Sequence, residues 1–415
     1  MTNLLFVVLG KISSGELTIA KSFADCLPKD RINCKFLVSC KDAHFLEDEY
    51  GFTLLDPLEK KEKNREKVEE LFDNSSFDFI LLFDVFTVEY AQNWSSVSLF
   101  YLRDKGIPII GLDEYDYSHG GYSLDYYSGI TKKLPPLLEI CDYIIANCPL
   151  NKPIYGAERI KYFRLYESIE PLKEEKNQVR LELGVKPHQK MIFFTLSHWE
   201  TLNVFRIISL DKLIKWMPKI LQEYIKGYGD DVVIIHVGDK EWKDENPNNY
   251  KYFKFLKKEV FEKYLLSADL YMGFNIVSVT LTKAVLGQVP SIIFQNDKVI
   301  NFEKLQNRVN ELPLWYRNMA QDLKVVYPFK ASVFGWHNFL KQILKDNIYV
   351  DSFKTAPLFK VKETEDILNQ MLYDDNFREQ MGTQMRKFKL YYEQIPSAAE
   401  VMEEIISDRK EKQCG

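Results

Sequence analysis

Short unbroken apolar runs alternate along this chain with longer stretches in which apolar and polar positions interleave at helical spacing. A strand covered on both faces reads as a continuous apolar run, because neither face meets water. The runs therefore predict parallel strands, and the interleaved stretches predict the helices that cover them. In the first part of the chain strands are expected at residues 4–9, 35–39, 77–83, 107–112 and 143–146, with a helix over about 18–27. The second part repeats this grammar with strands at 191–196, 231–237, 270–274 and 291–294 and a helix near 210–224. No repeat of sequence accompanies the recurrence, so what repeats is architecture: an α/β fold with two doubly wound parallel sheets.

The stretch 166–188 breaks the pattern. It holds Glu167, Glu170, Pro171, Lys173, Glu174, Glu175 and Lys176 ahead of a short helical segment, 178–183, ended by Gly184. High charge density without a long apolar face marks a connection between domains. The expected organisation is a first domain over 1–168, a linker over 169–188, a second domain over 189–385 and a C-terminal helix over 386–415. A similar charged run, 60–70, is expected to be a solvated helix within the first domain. Residues 364–408 are strongly helical and contain one proline, Pro396. Their apolar face of Tyr391, Tyr392, Ile395, Ala398, Val401, Met402 and Ile405 must pack on something, and the first domain is the expected partner.

Composition narrows the function classes. With 415 residues, 46% hydrophobic, 14% aromatic and 28% charged, the chain can bury two cores and is not a disordered segment. Its net charge of −5 lacks the basic surface that displaces counterions from phosphate, so no nucleic-acid partner is expected. That charge divides unevenly: residues 1–168 hold 19 basic and 26 acidic side chains, the remainder 36 and 34. A mildly basic second part suits a phosphate-bearing ligand. The opening apolar run has no basic residue before it and stops at Gly10, which reads as a first strand rather than a leader. No run approaches the roughly 20 residues of a membrane span. A cytoplasmic protein with no transmembrane segment is the resulting expectation. The six cysteines, Cys26, Cys34, Cys40, Cys141, Cys148 and Cys414, include no Cys-x-x-Cys pair, and the six histidines form no His-Glu-x-x-His. Reduced thiols and no metal centre are expected.

Two segments carry candidate chemistry. The loop 10–16 (Gly-Lys-Ile-Ser-Ser-Gly-Glu) joins the first strand to the first helix, at the carboxyl edge where open parallel sheets place ligands. Ser14 and Gly15 let a ligand approach the backbone, and helix-terminal N–H groups favour an anion. The loop is neither a Walker A sequence nor Gly-x-Gly-x-x-Gly, and it fits an ordinary strand-to-helix turn with an acidic first turn equally well. The denser signal is 261–296. There a strand ending near Phe274 runs into a hydroxyl-rich turn (Asn275, Ser278, Val279, Thr280, Thr282), a short helix, Pro290, another strand and the amide pair Gln295-Asn296.

This unit resembles the donor-binding half of GT-B glycosyltransferases, in particular the branch of the lipid II-forming N-acetylglucosaminyltransferase and the natural-product glycosyltransferases. Elsewhere, Gly15-Glu16 is similar to the end of the family's first glycine-rich loop, and residues 178–184 to its Arg-x-x-Leu-Gly helix. Ser197-His198 matches a turn towards the donor phosphates, and His236-Val-Gly238 a strand end of the nucleotide pocket. Residues 372–406 are similar to its C-terminal helices, the last of which returns to the first domain. The resemblance implies two Rossmann-like domains (GT-B) with C-terminal helices crossing back and an active site in the cleft. It implies a nucleotide-sugar donor, foremost a UDP-sugar, no cofactor, and an unidentified acceptor that is a small molecule, peptide or glycan.

Sugar transfer needs a base for the acceptor proton and donors that stabilise the departing diphosphate. On the resemblance the base comes from the first domain: Glu16 first, then Asp113 or His119. Asp113 belongs to an acidic trio with Glu114 and Asp116, for which a solvated loop is the competing reading. The diphosphate falls to Ser197, His198, Ser278, Val279 and Thr280, although Ser and Thr at a helix start also serve as plain caps. His236, Gly238, Asn275, Thr282, Lys283, Gln295 and Asn296 complete the donor pocket. The chain has no Asp-x-Asp tripeptide and its donor segment no Glu-x7-Glu, which points to a metal-independent, inverting enzyme. Tyr115, Tyr117, Tyr122, Tyr126 and Tyr127, in a loop with Gly120 and Gly121, suit an acceptor wall or plain packing. One departure stands out: the family's ribose-binding glutamate falls on Lys283, and the glycine before its proline on Gln288. Lysine accepts no hydrogen bond from a hydroxyl, so either the ribose is held differently, by Asn275 or Asn296, or the nucleotide is unusual. A non-hydrolysing UDP-sugar 2-epimerase and a non-catalytic GT-B-like binding protein are the alternative readings.

Overall fold

The apolar runs form two parallel sheets. In the structure, a computed structural model, residues 1–10, 15–39, 46, 49–116, 118, 136–154, 156–167, 169–172, 175–196, 211–242, 249–295, 312–323 and 343–414 are described. The chain folds as two units, one of Met1–Ser168 with Tyr391–Gly415, the other of Ile169–Leu390.

Unit 1 is built on β1 (Thr2–Val8), β2 (Ile32–Ser39), β3 (Gly51–Leu55), β4 (Phe79–Leu82), β5 (Ile109–Asp113), β6 (Tyr143–Cys148) and β7 (Ile160–Arg164). Their order across the sheet is β3-β2-β1-β4-β5-β6-β7, and every pairing is parallel. Among the described residues five helices connect them: α1 (Gly15–Asp25), α2 (Lys61–Asp73), α3 (Val85–Ser95), α4 (Leu99–Arg103) and α5 (Leu137–Ile140). The charged run 60–70 lies in α2, which buries only Asn64, Val68 and Leu71. Phe6 on the central strand stacks on Phe36 and Phe83, with ring centroids 4.8 and 5.3 Å away, and Phe23 of α1 meets Phe163 edge-on. Such aromatic pairs add to the area they bury.

Unit 2 contains β8 (Lys190–Leu196), β9 (Val232–Gly238), β10 (Tyr250–Phe253), β11 (Leu270–Gly273), β12 (Ser291–Gln295) and β13 (Lys354–Pro357), ordered β10-β9-β8-β11-β12-β13. Its helices are α6 (Lys176–Glu182), α7 (Asp211–Lys226), α8 (Lys258–Ser267), α9 (Val279–Leu286), α10 (Leu314–Leu323), α11 (Val361–Tyr373) and α12 (Asp375–Glu393). Ile192, Phe194, Ile234, Met272, Phe274, Ile292 and Phe294 share one core cluster with residues of α7, α10 and α11.

The chain re-enters unit 1 at Tyr391. Helix α13 (Ala398–Cys414) packs on β7 and buries Val401, Met402 and Ile405, while Tyr392, Ile395 and Ala398 ahead of them are buried too. The Arg164 N–H donates to Pro396 O at 2.8 Å, and Tyr143 donates to the Asp408 carboxylate at 2.5 Å. The apolar face read from the sequence is thus covered by unit 1, and the C-terminal helix crosses back.

Each strand that the apolar runs predict is present. The four that the runs miss, β3, β7, β10 and β13, are the two edges of each sheet. An edge strand has a neighbour on one side only and need not be apolar throughout. No residue of β10 is fully buried, and only the last of β3 is. Cys34, Cys141 and Cys148 are buried free thiols, and Cys26 is a half-buried one.

An ion pair buried at the amino ends of β8 and β11 explains two of the sequence motifs. Arg180, from the Arg-x-x-Leu-Gly helix α6, donates through Nη1 to Asp269 Oδ2 at 2.5 Å and through Nη2 to Gln189 O at 2.6 Å. Asp269, from the Ala-Asp step before β11, also accepts from the Met191 N–H at 2.8 Å, and Lys176 Nζ lies 3.6 Å from its other oxygen. Burial alone would raise the Asp269 carboxyl, but Lys176, the Arg180 bond and the Met191 N–H together hold it below its ordinary value. These motif residues fasten α6 to the sheet, on the edge away from the strands' carboxyl ends.

The Gln288 departure also has a local explanation. Helix α9 ends with Gln288 in the left-handed region at φ 62°. Its N–H donates to Val285 O at 3.1 Å and that of Val289 to Ala284 O at 2.8 Å, the bond pair of a Schellman cap. Helix α6 closes with the same bonds around Gly184, at φ 67°. A side chain in this region costs about 1–2 kcal/mol that glycine avoids.

Two stability measurements follow. Gln288→Gly should raise stability by roughly 0.5–1 kcal/mol, the left-handed cost less glycine's larger folding entropy, read as a higher urea midpoint; a fall would contradict the cap. Asp269→Ala should lower stability by about 3–5 kcal/mol, as breaking a buried ion pair does. Because the folded chain holds Asp269 below its ordinary value, the stability it lends is present above the usual carboxylate range and is lost as pH falls through the lowered value. The urea midpoints of the wild type and of Asp269→Asn should therefore converge towards acid pH; a gap independent of pH would rule out the ion pair as its source.

Candidate active site

At the carboxyl edge of the unit 1 sheet, the ends of three neighbouring strands deliver four carboxyl groups. Glu16 enters in the first turn of α1, after β1; Asp84 follows β4 and caps α3; Asp113 ends β5 and Glu114 comes next. All four are at most 8% exposed. Asp84 takes a strained left-handed backbone, φ 69° and ψ 99°, and its Oδ1 accepts from the Phe86 N–H at 2.9 Å. Strain of this kind persists only where the surroundings impose it.

The two acids after β5 differ in chemistry. Asp113 is saturated: its carboxylate accepts from the Tyr115 and Ser118 N–H groups at 3.2 and 2.9 Å and from the Ser118 hydroxyl at 2.7 Å. Its carbonyl accepts from Asn151 at 2.8 Å. Glu114 is buried, and its Oε1 has no hydrogen-bond partner. Burial first, then the negative charges of Asp84, Glu16 and Asp113, push the Glu114 carboxyl well above its usual range, against a hydrogen bond with Tyr115. The rim therefore presents a carboxyl group biased towards its protonated form beside other acids. Asp84 had no place among the sequence candidates, and Glu114 had one only within the acidic trio. The usable signal was an acid directly after an apolar run, Phe-Asp at 83–84 and Leu-Asp-Glu at 112–114. Ser14, His119, Tyr117, Tyr122, Tyr126 and Tyr127 lie outside the described residues.

In unit 2 the sequence candidates fall into two groups. His236 sits within β9 with its ring enclosed by Phe194, Trp242, Tyr250 and Tyr252, centroids 4.9–5.8 Å away. Its Nδ1 lies 2.6 Å from the Tyr250 hydroxyl, and burial pushes its pKa down to about 3, so the ring is neutral. A Cβ on Gly238 would lie 2.9 Å from Leu196 O and 3.1 Å from His236 Nε2, which is why glycine ends this strand. Lys283 is bonded to Glu262 Oε1 of α8 at 2.6 Å; burial pulls its pKa down against that carboxylate's attraction. Thr282 Oγ1 lies 3.3 Å from the Tyr349 hydroxyl.

The second group lines the carboxyl ends of β11 and β12. Asn275 Oδ1 accepts from the Val277 N–H at 3.1 Å and turns the chain into Ser278, whose Oγ caps α9 by accepting from the Thr280 N–H at 3.1 Å. Val279 is the first residue of the helix. Met272, Phe274, Ile292 and Phe294 point into the core under α7, α10 and α11, so the alternating pleat of β12 turns Gln295 to the opposite face. That face belongs to α9, whose buried Leu281, Ala284 and Val285 stand outside that core cluster. Gln295 is 3% exposed, and neither its amide nitrogen nor its oxygen has a hydrogen-bond partner. Ser197, His198 and Asn296 lie outside the described residues. Among the described residues no three His, Cys, Asp or Glu side chains are grouped to hold a metal ion, and no helix is long and apolar enough to cross a membrane.

Comparison with solved structures places this architecture. The chain is similar to spinosyn forosaminyltransferase SpnP, with 12% identity, 98% of each chain covered and a TM-score of 0.58. It is similar to Anabaena HepE, solved in complex with UDP and glucose, with 13% identity, 98% of this chain and 100% of that one covered and a TM-score of 0.55. Acinetobacter baumannii MurG matches with 11% identity, 99% and 100% coverage and a TM-score of 0.51. At such identities the likeness is one of fold: two parallel α/β sheets in the GT-B arrangement. No curated protein matches the chain. Residues 23–412 match the model of a family described as one of unknown function, DUF6365, and the chain belongs to that family.

Proposed function

We propose that the chain is a glycosyltransferase that moves a sugar from a nucleotide-sugar donor, a UDP-sugar, to the nucleophile of an acceptor, with inversion and without a bound metal. The observation that carries the reading is the buried acidic rim of unit 1, on a fold shared with sugar-transferring proteins. Attack on an anomeric carbon needs the acceptor O–H to lose its proton as the bond to the diphosphate breaks. Glu16 is the base in this reading: it stands in the first turn of α1, where the helix dipole favours the ionised form. Asp113, with its carboxylate committed to Tyr115 and Ser118, holds the loop after β5 in place. Glu114, kept neutral, limits the negative charge that builds up around Glu16.

Unit 2 supplies the electrophilic side. The first-turn N–H groups of α9 point out of the helix towards the carboxyl edge, and Ser278 takes only that of Thr280. A departing diphosphate placed there would meet unpaired donors and the positive end of the dipole. His236 and Lys283 are absorbed into the fold and play no direct part in this mechanism.

Calorimetry of the folded protein should detect binding of UDP, with TDP and GDP as comparisons; no heat with any of them rejects the proposal. UDP-N-acetylglucosamine alone should remain unchanged, since a transferase needs its acceptor, whereas interconversion of the sugar would identify an epimerase. Glu16→Gln should lower turnover about 10²–10⁴-fold, the usual contribution of a general base, with UDP affinity retained. For Glu114 the linkage runs opposite to that of an ordinary ion-paired acid. A raised folded value leaves stability intact at acid pH and withdraws it as pH climbs above the unfolded value of about 4.3. Glu114→Gln should thus match the wild type in unfolding midpoint near that pH and exceed it increasingly towards neutrality. A constant offset would mean that Glu114 is not held neutral.

A further inference from the structure

The edge of the unit 1 sheet where the strands begin holds a cavity outside the acidic rim. It has a volume of about 710 Å³ and lies among the end of α4, the approach to β5, helix α5 and the residues just before β6 and β7. Small-molecule sites span roughly 300–1,000 Å³. Ile107, Pro108 and Leu138 supply half-buried apolar wall, and Arg103, Glu139, Asp142 and Arg159 supply four exposed charges, two of each sign.

None of these four side chains forms an ion pair, with one another or with any described residue. The guanidinium groups are tethered instead to carbonyls at the end of α5. Arg159 donates through Nε to Asp142 O at 2.8 Å and through Nη2 to Leu138 O and Cys141 O at 2.9 and 2.5 Å, and Arg103 donates through Nη1 to Glu139 O at 2.6 Å. Carbonyls at a helix end need such donors. Held there, Arg159 Nη1 and Arg103 Nε and Nη2 have no partner in the chain. On the acidic side, Asp142 Oδ2 accepts from the Ile109 N–H at 2.8 Å, while its Oδ1 and the Glu139 carboxylate make no hydrogen bond. Exposed opposite charges gain a little by meeting, but here backbone bonds hold them apart around one cavity.

We infer that this cavity binds a small zwitterion, an α-amino acid with an apolar side chain, taking its carboxylate on Arg103 and Arg159 and its ammonium on Glu139 and Asp142. A ligand that was only an anion would meet the two carboxylates, and one that was only a cation the two guanidinium groups. A ligand carrying both charges meets each with its opposite. The arginine fork matches a carboxylate, and an ammonium has three hydrogens to give to carboxylate oxygens. The side chain then lies against Ile107, Pro108 and Leu138, where its hydrocarbon leaves water. Because the cavity is on the sheet edge opposite Glu16, Asp84, Asp113 and Glu114, it takes no part in the proposed transfer, and the inference does not depend on the nucleotide-sugar reading.

Titration calorimetry of the full chain with L-leucine, L-methionine and L-phenylalanine tests it, and the wild type should bind at least one of them. For that amino acid, the amide, which lacks the carboxylate, and the N-acetyl derivative, which lacks the ammonium, should each bind about 10-fold more weakly. Arg103→Gln should reproduce the loss seen with the amide, and Glu139→Gln combined with Asp142→Asn the loss seen with the N-acetyl derivative. Arg159 is left in place because its carbonyl bonds hold the end of α5. Deleting a contact from both sides costs little more than deleting it from one, so Arg103→Gln should narrow the gap between amino acid and amide, and the acid double variant that between amino acid and N-acetyl derivative. Arg103→Lys, which keeps the charge, should recover part of the affinity. Melting temperatures report whether the variants fold; for a variant that does not, the three ligands on the wild type decide alone. No binding of any of the three amino acids, or equal binding of amino acid, amide and N-acetyl derivative, overturns the inference. So does an Arg103→Gln loss of the same size for amino acid and amide, which would leave the arginine as no more than a cap on α5.

Discussion

Every strand pairing described in this chain is parallel, and that single directional constraint determines where its chemistry can be. Parallel strands need a crossover at each step, so all of their carboxyl ends reach the same edge of the sheet and all of the connections that follow begin there. Residues distant in sequence, such as Glu16, Asp84 and Glu114, are brought to one edge because each follows the carboxyl end of one of three neighbouring strands. In unit 2 the same rule puts Asn275, after β11, and Gln295, the last residue of β12, on one edge. The opposite edge, where strands begin, carries the Arg180–Asp269 pair instead, and its motif residues serve to fasten a helix.

The two buried charge clusters show opposite solutions to one problem. Asp269 is surrounded by a guanidinium, an ammonium and an amide N–H and stays ionised below its ordinary range. Glu114 has acids for neighbours and is driven to its neutral form. The first arrangement adds rigidity to a helix and sheet; the second stores a proton beside a candidate base. Burial is equally severe in both, so the sign of the neighbouring charge decides whether a carboxyl becomes a strut or a reagent.

The central strands were legible because burial on both faces demands continuous apolar sequence. The edges were not: Tyr-Lys-Tyr-Phe at β10 and Lys-Thr-Ala-Pro at β13 have no such run, and pairing to a neighbour strand is invisible in a linear pattern. Residue type alone was a poor guide to role at three positions. His236 looks like a ligand-binding imidazole in sequence, but four aromatic rings and a tyrosine hydroxyl enclose it. Lys283 looks like a free cation but is bonded to Glu262, twenty-one residues earlier on another helix. Gln288 looks like a substitution of the family's glycine before its proline and is in fact a helix cap held in a left-handed backbone. In each case the deciding fact is what surrounds the side chain, which sequence spacing does not encode.

The return of the chain to unit 1 affects more than packing. Unit 1 comprises the first 168 residues and the last 25, with the whole of unit 2 lying between them in sequence. A ribosome therefore finishes unit 2 while unit 1 still lacks the helix that covers β7, and Tyr143, Lys161 and Arg164 still lack the partners that α13 and its approach provide. The usual order in which domains mature as they emerge, amino-terminal first, is altered here: the unit with the acidic rim is completed by a helix that follows the whole of unit 2 in sequence, so unit 1 waits for unit 2 to be made before it can close over β7.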